Sequence, residues 1–142
     1  MDHLDQYLAA SGVIFFRAHE VASREVRGGP RVVTPPVELW ERMIPTLHVA
    51  DLVRARLGVP VTVVSGYRTQ EYNRIVAGSP RSQHVQCRAL DLTCTELEAL
   101  RELVHHYAAE LDARGVATGV GDYAGFVHLE IGAPGGRRRW SA

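Results

Sequence analysis

The stretch SQHVQCRALDLT, Ser82 to Thr93, carries a histidine, His84, and seven positions later an aspartate, Asp91, set inside an apolar alternation. Side chains along a strand alternate between faces. Ala89, Asp91 and Thr93 therefore fall on one side, with Leu90 and Leu92 on the other. Near the C-terminal end Phe126, His128 and Glu130 share a face, while Val127, Leu129 and Ile131 take the opposite one. Each strand thus offers an apolar face to a core and a second face bearing metal-capable groups. A buried carboxylate without a partner costs several kcal/mol, and a divalent cation removes that cost. His84, Asp91 and His128 together give two imidazoles and one carboxylate, a set that leaves the fourth position of a zinc ion open for water. An open position separates a catalytic zinc from a structural one. On spacing alone a second reading stays open, in which each histidine is a surface or satisfied core residue and Asp91 a hydrogen-bonded buried acid.

The other histidines lack such company. His19, His48 and the pair His105-His106 read as solvated or packing residues. Cys87, three residues past His84, is a possible soft ligand. With only Cys87 and Cys94, the chain has too few cysteines for a disulfide framework, and both are expected to be reduced.

A length of 142 residues suits one domain over 1–142 with a core of its own. Apolar residues at 46% and charged residues at 23% are those of an ordinary globular protein. Sixteen basic and sixteen acidic residues cancel, which gives no electrostatic ground for a nucleic-acid or membrane partner. The one basic run, Arg137-Arg138-Arg139 before Trp140, reads as a solvated tail rather than a phosphate patch. The opening Met1-Asp2-His3-Leu4-Asp5 is acidic and has no positive segment ahead of an apolar one. The expectation is a cytoplasmic protein as synthesised, with export open only by a route other than a signal segment.

Several elements must position these groups. Asp2 to Ala10 and Arg17 to Ser23 are expected as short helices. The stretch from Gly28-Gly29-Pro30 to Pro35-Pro36 reads as an irregular wrap. Val37 to Leu57 has helical periodicity, with Met43, Leu47, Leu52, Val53 and Leu57 as core positions, a kink at Pro45 and a stop at Gly58. Val61 to Val64 is a β-branched strand, and Thr69 to Ala77 a short helix. Thr95-Glu96-Leu97-Glu98 has the form of a capping box, followed at helical spacing by Leu97, Leu100, Val104, Tyr107 and Leu111, with Gly115 closing the helix. Val116 to Gly119 and Phe126 to Ile131 are expected as strands joined by a tight turn near Gly121. The fold class is α+β: a small, mostly antiparallel sheet with helices packed on one side and the zinc site on the exposed sheet face.

Taken in order, Ser65-Gly66-Tyr67-Arg68, Ser82-Gln83-His84 with Ala89-Leu90-Asp91, Gly119-Val120-Gly121-Asp122-Tyr123 and Gly125-Phe126-Val127-His128-Leu129-Glu130 make a pattern. It resembles that of the zinc D-alanyl-D-alanine carboxypeptidase family, of the type SGYR, SxHxxGxAxD and FVHxD. The resemblance implies one zinc ion per chain on His84, Asp91 and His128, with Arg68 facing the substrate. It also implies hydrolysis of peptide bonds next to D-amino acids in cell-wall muropeptides, as in carboxypeptidases, murein endopeptidases and phage endolysins. Arg68 would stabilise a developing oxyanion or grip a substrate carboxylate, while Ser82 and Tyr67 would support the loop that presents these groups. The chain departs from the pattern at three places. Cys87 stands where the family commonly has glycine, Glu130 replaces the usual aspartate, and Gly125 occupies the position of the general-base carboxylate. Asp122 and Glu130 are the remaining candidates for the base; Asp122 is preferred because a turn could swing it over the zinc, leaving Glu130 to orient a ligand. Two other functions stay open: a zinc amidase acting on a small cytoplasmic metabolite, and a non-catalytic zinc-stabilised binding module. Oligomeric state is not legible.

Overall fold

A computed structural model describes residues 2–25 and 31–142. Two short helices open the chain, α1 (His3–Ala10) and α2 (Ala18–Val21). The Asp2 carboxylate caps α1 by accepting the Leu4 amide at 2.7 Å. Strands β1 (Ser23–Glu25) and β2 (Arg31–Val33) form a two-stranded antiparallel ribbon. The helix expected to Ser23 therefore ends at Val21 and hands over to a strand. Of the expected irregular wrap, Gly28-Gly29-Pro30 lie outside the described residues and Arg31–Val33 is extended ladder.

A single turn of 3-10 helix (Val37–Leu39) leads into the long helix α3 (Trp40–Leu57). Helix α3 runs on through Pro45 as one element and stops at Gly58, whose left-handed φ of 69° lets its amide close on the Arg54 carbonyl. Strand β3 (Thr62–Ser65), helix α4 (Gln70–Ile75), strand β4 (Ala89–Thr93) and the second long helix α5 (Leu97–Ala113) follow. The chain ends with β5 (Thr118–Asp122), β6 (Val127–Ile131) and β7 (Arg138–Ser141). The five strands order as β3-β4-β6-β5-β7, antiparallel throughout except for β7, which runs parallel to β5.

The core lies on one face of this sheet. Leu90, Leu92, Val120, Val127 and Leu129 meet Leu47, Ala50 and Val53 of α3 and Leu100, Val104 and Ala108 of α5, all buried. Leu52, expected in this core, is 50% exposed because the α3 stripe runs through 43, 47, 50 and 53. No capping box forms at α5: Glu96 is the capping residue, and its side chain accepts no amide. Among the described residues no helix is long and apolar enough to cross a membrane.

Two corrections bear on the site. The turn between β5 and β6 falls at 123–126, where the Tyr123 amide bonds the Phe126 carbonyl, and not near Gly121, which stays in the β5 ladder opposite His128. Nor is the arginine run a solvated tail. Arg139 reaches the Asp112 carboxylate of α5 at 2.6 Å, and Arg138 reaches Glu130 at 2.9 Å. Asp112 also accepts from the Thr118 amide and hydroxyl, at 2.9 and 3.0 Å, and so ties α5, β5 and β7 together.

Burial works to raise the Asp112 carboxyl, but the Thr118 hydrogen bonds and the Arg139 charge outweigh it and hold the group below the usual carboxylate range. A depressed folded pKa contributes stability above the unfolded value, near 4, and that stability drains away as pH falls through the folded value. Asp112→Asn is therefore expected to cost about 1–3 kcal/mol at pH 7. The gap between variant and wild type should narrow steadily in urea titrations taken from pH 5 down to pH 2. A gap that is constant across this range would assign the loss to packing instead.

Candidate metal centre

Register across the sheet brings the distant residues together. Asp91 on β4 pairs with His128 on β6, His128 with Gly121 on β5, and Gly121 with Trp140 on β7. The next row on the same face is Ala89, Glu130, Gly119 and Arg138. Both rows lie opposite the core.

His84 joins them from the loop between α4 and β4, which the backbone holds tightly. The His84 amide donates to Ser82 Oγ at 3.2 Å, and the His84 carbonyl accepts from the amides of Arg68 and Cys87. The segment after β3 is fixed in turn, for the Tyr67 amide bonds the Val21 carbonyl at 2.8 Å. A side chain at Gly66 would meet that same carbonyl at 2.5 Å. Ser82 thus braces the loop through His84, and half-buried Tyr67 packs against the core beneath it.

His84 Nε2 lies 3.1 Å from one Asp91 oxygen, and His128 Nδ1 lies 2.9 Å from the other. One ligand atom from each of the three residues lies within 4.8 Å of the others, and all three side chains are buried. The far nitrogen of each ring is also engaged. His84 Nδ1 donates to the Gly66 carbonyl at 2.7 Å, and His128 Nε2 faces Glu130 Oε1 at 2.8 Å. An acceptor behind each ring fixes the tautomer whose lone pair points at the centre, the usual arrangement of metal-bound histidines. The donor set therefore fits a divalent cation.

The charges match this geometry. Burial pushes the Asp91 carboxyl up, yet the hydrogen bonds and charges of His128 and His84 outweigh it and hold the group far below the usual range. Burial opposes charge on His128, but the Asp91 and Glu130 carboxylates at its two nitrogens prevail and raise its pKa. Glu130, 1% exposed, is likewise held low against its burial by His128 and Arg138. Its Oε1 serves both partners; its Oε2 is buried with none among the described residues.

These groups line a cavity of about 610 Å³ walled by Tyr123, Phe126 and Trp140. Arg68 enters it beside Asp91, at 3.6 Å, steadied by Ser65 Oγ at 3.1 Å and Asn73 Oδ1 at 3.3 Å. Asp122 does not line the cavity. Because β5 continues through Asp122 instead of turning before it, strand alternation sends its carboxylate to the helix face. There it lies 3.0 Å from His105 Nε2 on α5. The structure thus keeps His84, Asp91, His128, Glu130 and Arg68 together and separates Asp122 from them. It adds Arg138 and Trp140, for which the available signal was an Arg-x-Trp alternation just past the last ligand strand.

The fold and this cluster define an α+β protein with a metal-capable His-Asp-His centre on the open face of its sheet. Residues 16–130 match the model of the family described as Peptidase M15, and the chain belongs to that family, the zinc D-alanyl-D-alanine carboxypeptidases. It is thereby a metallopeptidase by family. Among curated proteins, none matches the chain.

Cys87 stays outside the ligand cluster. Its φ of 65° lies in the left-handed region, which explains why glycine suits this position and costs a cysteine roughly 1–2 kcal/mol. Its side chain is buried in the core, and burial pushes the thiol up to about 12 against a small opposing pull from Arg42. Native protein at pH 8 should therefore show one thiol reactive toward a disulfide reagent, half-buried Cys94, and two after denaturation. Cys87→Ser should retain metal; loss of metal in that variant would place sulfur in the coordination sphere.

Proposed function

We propose that the protein is a zinc-dependent peptidase that cleaves amide bonds next to D-amino acids in cell-wall muropeptides. The observation that carries this reading is the convergence of His84 Nε2 and His128 Nδ1 on one buried Asp91 carboxylate inside an open cavity. Family membership supports zinc as the ion and a peptide as the substrate. Bound there, zinc would supply Lewis acidity toward the scissile carbonyl and a water of lowered pKa.

The chain's own residues supply the rest. Arg68 is anchored by Ser65 and Asn73 with its remaining terminal nitrogen near Asp91, so its charge is available to a carbonyl oxygen or carboxylate entering the cavity. Tyr123 and Phe126, stacked at 4.6 Å, and Trp140 offer an apolar wall for the peptide. For the proton acceptor, geometry favours Glu130 over Asp122. Among the described residues, Asp91 and Glu130 are the carboxylates that line the cavity, and only Glu130 has an oxygen without a partner. Glu130 would then hold His128 with Oε1 and take a proton at Oε2.

Purified protein should bind about one zinc per chain and release D-alanine or cross-linking peptide from muropeptides, read by mass spectrometry. At saturating zinc, Glu130→Gln is expected to lower turnover by roughly 10²–10⁴-fold. Asp122→Asn should stay within a few-fold of wild type. The reverse pattern would return the base to Asp122. No zinc uptake would overturn the proposal entirely, and zinc without turnover on any amide would mark a binding module.

A further inference from the structure

The family match ends at residue 130, yet the open face of the sheet does not. Beyond the match lies β7, an appended parallel strand whose residues Arg138 and Trp140 fall in the same two rows as Glu130 and His128. Its placement is built into β5. A side chain at Gly119 would come within 2.6 Å of Glu130 Cγ, and one at Gly121 within 2.3 Å of the Trp140 ring. Neither glycine has a positive φ, so backbone conformation does not call for them. They are bare so that the side chains of the flanking strands can cross over β5 and meet. Over Gly119 the Arg138 guanidinium reaches Glu130 Oε1 at 2.9 Å, the same oxygen that His128 Nε2 faces. Over Gly121 the Trp140 indole packs against the His128 ring, centroids 5.2 Å apart, and its Nε1–H donates to the Tyr123 hydroxyl at 2.9 Å. Arg138 stacks on that indole at 4.8 Å, which fixes the guanidinium although its side chain is 52% exposed.

We propose that β7 is a working part of the metal centre, with Arg138 a positioning residue that acts through Glu130 on the His128 ligand. A carboxylate held by one partner can rotate about its last bond. Held also by Arg138, Glu130 fixes the His128 ring and raises its basicity as a ligand. Arg138 is outside hydrogen-bond contact with the ligand set itself, so its influence must pass through Glu130.

This proposal rests on the metal-site reading above, and the test separates the two. Zinc affinity is measured by competition with a chromophoric chelator for wild type, Arg138→Met, Arg138→Lys, Glu130→Gln and the Arg138→Met/Glu130→Gln double variant. The visible spectrum of the cobalt-substituted proteins is recorded in parallel. Arg138→Met keeps the stem over Trp140 and removes the donors. It is expected to weaken zinc binding by about tenfold, at the low end of the range for partners of metal-bound histidines. The cobalt bands should shift, Arg138→Lys should restore most of the affinity, and Arg138→Met should cost little further once Glu130 is already Gln. Wild-type affinity in Arg138→Met overturns the proposal and leaves the metal site standing. A loss of equal size with and without the Glu130 carboxylate also overturns it, since the effect would then bypass Glu130. Absence of zinc binding by the wild type removes the site and the proposal with it. If Arg138→Met does not fold, as judged by circular dichroism, Arg138→Gln carries the same comparison.

Discussion

Two carboxylates, Asp91 and Glu130, are set into one face of the sheet with 4% and 1% of their surfaces exposed, and the neighbouring structure is arranged around them. Transferred unpaired from water, each would cost several kcal/mol, so that the two together would take up much of the net stability of a domain this size. The structure answers with cations and donors on every side. Asp91 receives His84, His128 and, more distantly, Arg68; Glu130 receives His128 and Arg138. The two carboxylates are matched in number by the two guanidiniums of Arg68 and Arg138. An added divalent ion would make the cavity more positive.

The same constraint governs the backbone. Two glycines alternate along β5 on the site face, where a sheet would ordinarily place β-branched residues. They weaken the strand locally, and the cost is offset by the neighbours they admit: Glu130 lies across Gly119 and the Trp140 indole across Gly121. Helix α5 holds the same strand from the opposite face through Val104, Ala108 and the Asp112–Thr118 hydrogen bonds. One face of β5 is thus bound to the core while the other is left flat for the site. This division is what lets a five-residue strand serve both.

The shared face of Asp91 and His128 was legible because strand alternation is local: Leu90 and Leu92, or Val127 and Leu129, fix which face these two residues take. Asp122 was misplaced for the same reason run in reverse. Setting the turn at Gly121 instead of 123–126 makes Asp122 a turn residue, and a strand that continues even one residue further decides the face outright. Glycine is an ambiguous signal here, since it marks turns as readily as close approaches within a ladder. The strand β7 was hidden for a different reason. It pairs parallel with β5 across the sheet, and nothing local in Arg137-Arg138-Arg139 reveals that Asp112 and Glu130 wait for two of these charges.

At Gly125 the structure offers open space around the missing side chain, so the absence of a carboxylate there is a matter of chemistry and not of crowding. The turn is held instead by its backbone and its rings: the Gly125 carbonyl accepts from Thr93 Oγ1, and Tyr123 stacks on Phe126. Moving proton acceptance from that turn to Glu130 would join two tasks in one residue, steadying His128 with one oxygen and taking a proton with the other. A base on the turn can titrate without disturbing the metal. Glu130 in that role could not, because protonation would weaken its hold on the His128 ring. On that proposal Arg138 would relieve the conflict by anchoring Oε1, so that a proton arriving at Oε2 would leave the orienting contact in place. The longer glutamate in place of aspartate fits this arrangement, since its extra methylene lets the carboxylate span Gly119 and meet the arginine on the far strand.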